Sequence, residues 1–353
     1  MEFRPDILMF NNGTLVTNEE QWQERRTELK EILMRQEYGY MPPLPKAVKG
    51  EVESSDHKCA SGHAVLDRIN ITFDTPKGDF TFPIMFFAPN DGKKHPLIVL
   101  INFGAEPYHM YFPAEEIIDN GFGLAVVYYN DVSQDNDDLT DKLAGCFDRP
   151  ADGTGYGKIM LWAYAASRAA DYLVTRPEVD SHNMAVCGHS RLGKTAMVCG
   201  AFDERFKCVY SNDSGCDDAA LEQTKHDGGE TIAVMNKAFP AWFCENRRQY
   251  AGHEDTMPFD QHFLAALVAP RYLAIGSASL DDWADQYSEQ LCAIASSPAW
   301  KVCGKDGYIG KETPADIGDI FSDGDVSYHL RDGMHFFGRY DWNVWMNFIK
   351  KHM

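Results

Sequence analysis

Apolar residues change their spacing along this chain, and each spacing implies a different element. Residues from about Asn18 to Glu37 read as an N-terminal helix. The proline-rich stretch Met41 to Pro45 (MPPLP) follows it as a stiff link. Ala64 to Asp74 (AVLDRINITFD) and Asp79 to Ala88 (DFTFPIMFFA) are rich in β-formers and joined by PKG, which predicts an antiparallel hairpin at a sheet edge. From Pro96 onward the runs are short and apolar throughout: PLIVLIN, GLAVVYY, MAVCG, KCVYSN, RYLAIGSAS and VSYHL. Continuous apolar runs, rather than alternating ones, are what strands covered on both faces require. Helical patterns fit between them at Gly157 to Thr175, Arg191 to Phe202, Gln286 to Ile294 and Tyr340 to Lys351. The alternation predicts an α/β fold, a doubly wound, mainly parallel sheet flanked by helices. A single domain over 1–353 is expected, with 1–45 as a helical extension packed on it. In such a sheet the chemistry sits beyond the carboxyl ends of the strands.

Composition narrows the function classes. The formal charge of −20 and the lack of a basic stripe argue against a nucleic-acid partner. No apolar run reaches the length of a membrane span, and the start MEFRPDILMF lacks the pattern of an export signal, so the sequence as written reads as cytoplasmic. A secreted protein trimmed of its signal would read the same way. The nine cysteines (59, 146, 187, 199, 208, 216, 244, 292 and 303) include no C-x-x-C pair. They read as reduced thiols, and no metal site or cofactor is expected.

The sharpest local signal is Asn183 to Ala196, NMAVCGHSRLGKTA. A strand ending at Cys187, a tight turn at Gly188 and a helix starting after Ser190 are the setting of a nucleophile elbow, which lifts a serine hydroxyl above the sheet. The pattern departs from G-x-S-x-G, because Leu192 takes the last glycine's place and Gly193 comes one residue later. Strand, elbow and helix together predict the α/β-hydrolase fold.

On that fold the general base follows the last strand. His335 alone among the twelve histidines lies on a glycine-containing loop (RDGMHFFGRYDW) after a terminal strand and before the final helix. His189 adjoins Ser190 but is expected to point elsewhere, His262 reads as structural, and His329 sits within a strand. Two acids compete to orient His335: Asp213 after KCVYSN and Asp281 after RYLAIGSAS, with Asp282 a poorer third. The sequence leaves that choice open.

With these residues assembled, the chain resembles the glucuronoyl esterases, the fifteenth carbohydrate esterase family, from about Asn11 to its C-terminus. The segments that carry the resemblance are VCGHSRLGKTA, SNDSGC, GGETIAVMNKAFPAWFC, MPFDQHFLAALVAPRYL, SASLDDWAD and GMHFFGRYDW. The resemblance implies a metal-free serine esterase that cleaves the ester between a 4-O-methylglucuronic acid branch of xylan and a lignin alcohol. It implies Ser190 as nucleophile, His335 as base and Arg191 at the oxyanion site through its N–H and guanidinium. It also implies that Lys194, Glu230 and Trp283 bind the sugar, and it places carboxylates at both Asp213 and Asp281.

Three departures stand out. Asp217-Asp218 replaces the family's Gly-Gly, and EQTKHDG replaces a basic stretch, so extra negative charge is expected at the substrate rim. His189 and Phe336 stand where fungal relatives carry a cysteine pair, so that disulfide cannot form. The expected mechanism is two-step acyl transfer, with further oxyanion donors from Asn102 to Gly104. The rival expectations are an acetyl-xylan or feruloyl esterase on the same fold and a non-catalytic carbohydrate-binding relative. The oligomeric state is not legible.

Overall fold

The computed structural model describes residues 3–225 and 228–353. Ten strands form one sheet: β1 (Val48–Asp56), β2 (Ala64–Thr75), β3 (Gly78–Pro89), β4 (His95–Asn102), β5 (Gly123–Tyr128), β6 (Val179–His189), β7 (Phe206–Asn212), β8 (Tyr272–Ala278), β9 (Ile320–Phe321) and β10 (Val326–Arg331). Their order is β1-β2-β3-β5-β4-β6-β7-β8-β10-β9. Pairing is parallel from β5 through β10, and antiparallel where β1, β2 and β3 extend one end and β9 closes the other.

The continuous apolar runs divide by parity, as a sheet covered on both faces demands. In β4, Leu97, Val99 and Ile101 face a cluster that contains the helices Lys158–Leu173 and Arg191–Phe202. Ile98 and Leu100 face the opposite cluster, built on Trp342, Trp345 and Phe348 of the last helix, Arg339–Lys350.

Two expectations need correction. The predicted hairpin exists as β2 and β3, yet it is not the edge, since β1 lies outside it. The strand β1 (VKGEVESSD) was missed because it is almost entirely exposed and polar, with no buried face to impose an apolar period. Charged residues on an outermost strand also discourage pairing with another chain. The second correction is that β6 runs on through His189, two residues beyond the expected end.

The N-terminal helix runs Glu19–Leu33, capped by the Asn18 side chain on the Gln21 N–H. Trp22, Leu29 and Leu33 are fully buried in the same cluster as the central helices, and the Arg26 guanidinium donates to the Leu267 carbonyl at 3.0 Å. Trp22→Ala should therefore lower global stability by about 3–5 kcal/mol, the range for a large buried aromatic. Denaturant unfolding measures it. A loss below about 1 kcal/mol would mean that the helix contributes little to the main core.

Candidate active site

The elbow is held by backbone hydrogen bonds. Ser190 adopts φ 58°, ψ −131°, a left-handed φ that is uncommon for a residue with a side chain. The surroundings impose it: Ser190 N–H donates to the Asn212 carbonyl at 2.8 Å, and the Ser190 carbonyl accepts from Gly193 at 2.8 Å and Lys194 at 3.1 Å. Both nearby glycines are steric requirements. A Cβ on Gly188 would lie 2.0 Å from the Leu192 carbonyl oxygen, and one on Gly193 would lie 2.9 Å from Ser211 Oγ. Gly193 thus lets the elbow helix lie close to β7.

Eight of the residues singled out from the sequence line one cavity of about 500 Å³, namely Ser190, Arg191, Lys194, Asp213, Glu230, Asp281, Trp283 and His335, whereas Asp282 and Asn102 to Gly104 are not in its wall. Ser214, Phe239, Trp242 and Ala284 complete its wall. His335 Nδ1 meets Asp281 Oδ2 at 2.6 Å, which leaves Nε2 as the nitrogen for proton exchange. The contact follows from register. β8 and β10 are parallel neighbours with Ala278 opposite Arg331, so their exit loops leave side by side. Those loops are tied together by Leu280 N–H on the Gly333 carbonyl (2.9 Å) and Ser279 Oγ on Asp332 (2.9 Å).

Asp213 takes a different position. Its Oδ2 accepts from Arg331 at 3.2 Å, and its Oδ1 has no partner among the described residues. One donor atom each of Asp213, His189 and His335 lie within 4.8 Å of one another, but no hydrogen bond joins Asp213 to His335. Burial, followed by the charges of Glu289 and Asp341, holds the Asp213 carboxyl well above the usual range, with Arg331 opposing them.

Sequence reasoning missed Arg331. Its guanidinium joins Asp213 to Asp341 (2.8 Å) and donates to the carbonyls of Met334 and Phe336, the residues on either side of His335. An arginine closing the apolar strand VSYHLR was the available signal, because a buried cation needs nearby acceptors.

Arg191 forms an ion pair with Asp135, and its guanidinium lies 4.8 Å from the Trp242 ring centre, with Phe239 and Phe103 also in reach. Trp242 Nε1 donates to the other oxygen of Asp135 at 2.7 Å, so cation and aromatic wall share one anchor. Lys194 is buried. Its ammonium donates to the carbonyls of Ser214 and Cys216 and to Glu230 at 3.3 Å. Burial opposes its charge, while Glu230 first, and then neighbouring acidic groups, keep it protonated. The Trp283 indole N–H donates to Glu230, leaving the half-exposed ring as a wall.

Two expectations fail on where side chains lie. Asp217 and Asp218 are enclosed, not on a rim: Asp217 receives a two-pronged bond from Arg247, and Asp218 accepts from Ser211 Oγ at 2.5 Å. In the EQTKHDG stretch, Glu222 is also buried and accepts the Asp217 N–H at 2.7 Å, whereas His226 and Asp227 lie outside the described residues. The second failure concerns His189, whose ring centre lies 4.4 Å from that of His335 and does not point away.

A serine on a strained elbow, an imidazole oriented by a carboxylate and an anchored cation can together perform acyl transfer. The comparisons agree. The family model "Glucuronyl esterase, fungi" matches residues 69–304. The chain is 31% identical to Carbohydrate esterase MZ0003 of an unknown prokaryotic organism, over 99% of this chain and 89% of that one. It is 29% identical to 4-O-methyl-glucuronoyl methylesterase 1 of Wolfiporia cocos, over 87% and 73%. Among solved structures, a glucuronoyl esterase from Solibacter usitatus superposes with a TM-score of 0.90 at 32% identity, covering 99% of this chain and 97% of that one. A promiscuous CE15 esterase from the marine bacterial metagenome gives 0.91 at 28%, covering 100% and 98%.

The loop that carries Asp213 hangs on Glu289, whose carboxyl accepts the N–H groups of Ser214 (2.9 Å) and Gly215 (3.0 Å) and the Ser277 hydroxyl. Burial pushes this carboxyl up to about 8, although these donors pull it down. The folded state therefore keeps a proton that the unfolded chain releases near 4.5, and stability is lost as pH rises from there through about 8. Glu289→Gln should flatten the decline in Tm between those pH values relative to wild type. Parallel Tm profiles would mean that Glu289 is ionised throughout.

Proposed function

The chain belongs to the glucuronoyl esterase family, and from that premise we propose how its own residues hydrolyse esters of (4-O-methyl-)glucuronic acid. The observation that carries the reading is that Ser190 shares one cavity with His335, whose Nδ1 is bonded to Asp281.

His335 Nε2 takes the Ser190 proton as the hydroxyl attacks the uronate carbonyl carbon. Asp281 holds the ring in the required tautomer and stabilises the imidazolium that forms. The negative oxygen is met by Arg191, which Asp135 and Trp242 hold ready before substrate arrives. A preset cation is worth more to the transition state than one that must reorganise. The imidazolium then protonates the departing alcohol, leaving a glucuronoyl ester on Ser190. Water repeats the sequence and releases the free uronic acid.

The sugar hydroxyls meet Glu230 and the Trp283 ring. Because the Lys194 donors are already engaged, we assign it the task of holding Glu230 and the Ser214–Cys216 carbonyls in place rather than a direct bond to substrate. Asp213 supports the reaction through Arg331 and the histidine loop, and Asp281 is the orienting acid. The natural substrate that fits this reading is a glucuronic acid ester on a xylan fragment.

Hydrolysis of benzyl glucuronate should fall by about 10⁴-fold or more in Ser190→Ala. Asp281→Ala should lose roughly 10³-fold in kcat, clearly more than Asp213→Ala. The opposite ranking would move the acid's role to Asp213. In wild type, kcat/KM should drop as pH falls and His335 takes up a proton, because the base must be neutral. A rate that stays flat to strongly acidic pH contradicts His335 as base. Rapid turnover of acetylated xylan with little of the benzyl ester would favour the acetyl-xylan alternative.

A further inference from the structure

We propose that His189 is a positioning residue for the general base, a neutral ring that fixes the plane of His335 and keeps water off one of its faces. The inference rests on His335 acting as base.

His189 is 2% exposed, and its ring lies 4.4 Å from His335 at an interplanar angle of 40°. Tyr111 (5.2 Å), Phe103 (6.2 Å) and Phe337 (6.3 Å) enclose the ring on its remaining sides. One residue on the neighbouring strand holds both halves of this arrangement. The Asn212 side-chain oxygen lies 2.8 Å from His189 Nδ1, and the Asn212 main-chain carbonyl accepts the Ser190 N–H at 2.8 Å. Asn212 Nδ2 donates to the Tyr210 hydroxyl (3.2 Å) and the Gly276 carbonyl (3.4 Å), which sets the direction of the amide. Asn212 Oδ1 can therefore only accept, and His189 Nδ1 carries the hydrogen. Nε2 is left as a bare lone pair with no partner among the described residues.

Neutrality is what the position demands. Burial first, and then the neighbouring His335 charge, keep the His189 imidazole well below its usual range. A proton on His189 would set a second cation against the His335 imidazolium at the moment of catalysis. The charged and titratable groups facing this ring pair come from four elements: Asp281 after β8, Asp213 after β7, Arg331 on β10, and Tyr111 after β4. Asp281 fixes one edge of His335, and Arg331 fixes the loop on either side of it. Neither controls rotation out of the ring plane, which is the freedom that a ring packed against its face removes.

Two substitutions separate the ring from its hydrogen bond. His189→Phe keeps an aromatic face and loses the donor to Asn212, and His189→Gln keeps a donor and loses the ring. Both are compared with wild type for kcat, KM and the pH profile of kcat/KM on benzyl glucuronate, with thermal melts to confirm folding. In His189→Gln, kcat should fall at least tenfold with KM little changed, and the acid limb should move to higher pH as water reaches His335. In His189→Phe, kcat should stay within about threefold of wild type and the acid limb should not move. Equal behaviour of the two variants, or a greater loss in Phe than in Gln, overturns the proposal. His335→Ala in the same assay tests the premise separately: full activity there would remove His335 as base, whereas the His189 pair reads only how the base is held.

Discussion

The active site depends on one buried cation. Arg331 closes the last long strand with its guanidinium between Asp213 and Asp341, and the same group donates to carbonyls on both sides of His335. Two chain segments distant in sequence thus share one charge centre: the exit of β7, and the histidine loop together with the first turn of the final helix that follows it. Breaking up this cluster would leave buried charge poorly compensated in a low-dielectric interior, which costs far more than losing an exposed ion pair. The imidazole is consequently carried by a loop whose backbone is pinned, although half of its own ring is open to solvent.

A second principle is the use of pre-committed polar groups. Arg191 is paired with Asp135, Lys194 with Glu230 and two carbonyls, and Trp283 with Glu230 before any substrate enters. Each of these groups would otherwise have to be reoriented during the reaction, and the cost of that reorganisation is met in folding instead. The extra acids of this chain follow the same rule. Asp217 and Asp218 lie inside, where Arg247 and Ser211 bond to them, so they stiffen the floor next to Lys194 without adding charge to the cavity mouth.

The segments that carry Ser190 and His335 are joined here without covalent bonding. His189 and Phe336, adjacent in sequence to Ser190 and His335, belong to an aromatic assembly with Tyr111. Packing of this kind is close to crystalline density and resists sliding, yet it yields to the small ring motions that proton transfer requires.

Much of this was readable from residue order. Apolar runs without alternation dictate strands covered on both faces, and so the parallel sheet. Gly188, Ser190 and Gly193 dictate an elbow, because only glycine clears the Leu192 carbonyl and Ser211 at those places. Ser190, His335 and the two candidate aspartates could be named from strand and helix order, whereas Arg191, Lys194, Glu230 and Trp283 could be named only through the family resemblance. What sequence could not decide was which of two suitable aspartates touches His335, where Asp217 and Asp218 lie, and which way His189 faces. These answers turn on ångström-scale distances and on burial. Strand register set the first, placing β10 beside β8 and directing Asp213 to Arg331. Partners remote in sequence, Arg247 and Asn212, set the others. Local pattern fixes what a residue can do, and only the packing of distant segments fixes what it meets.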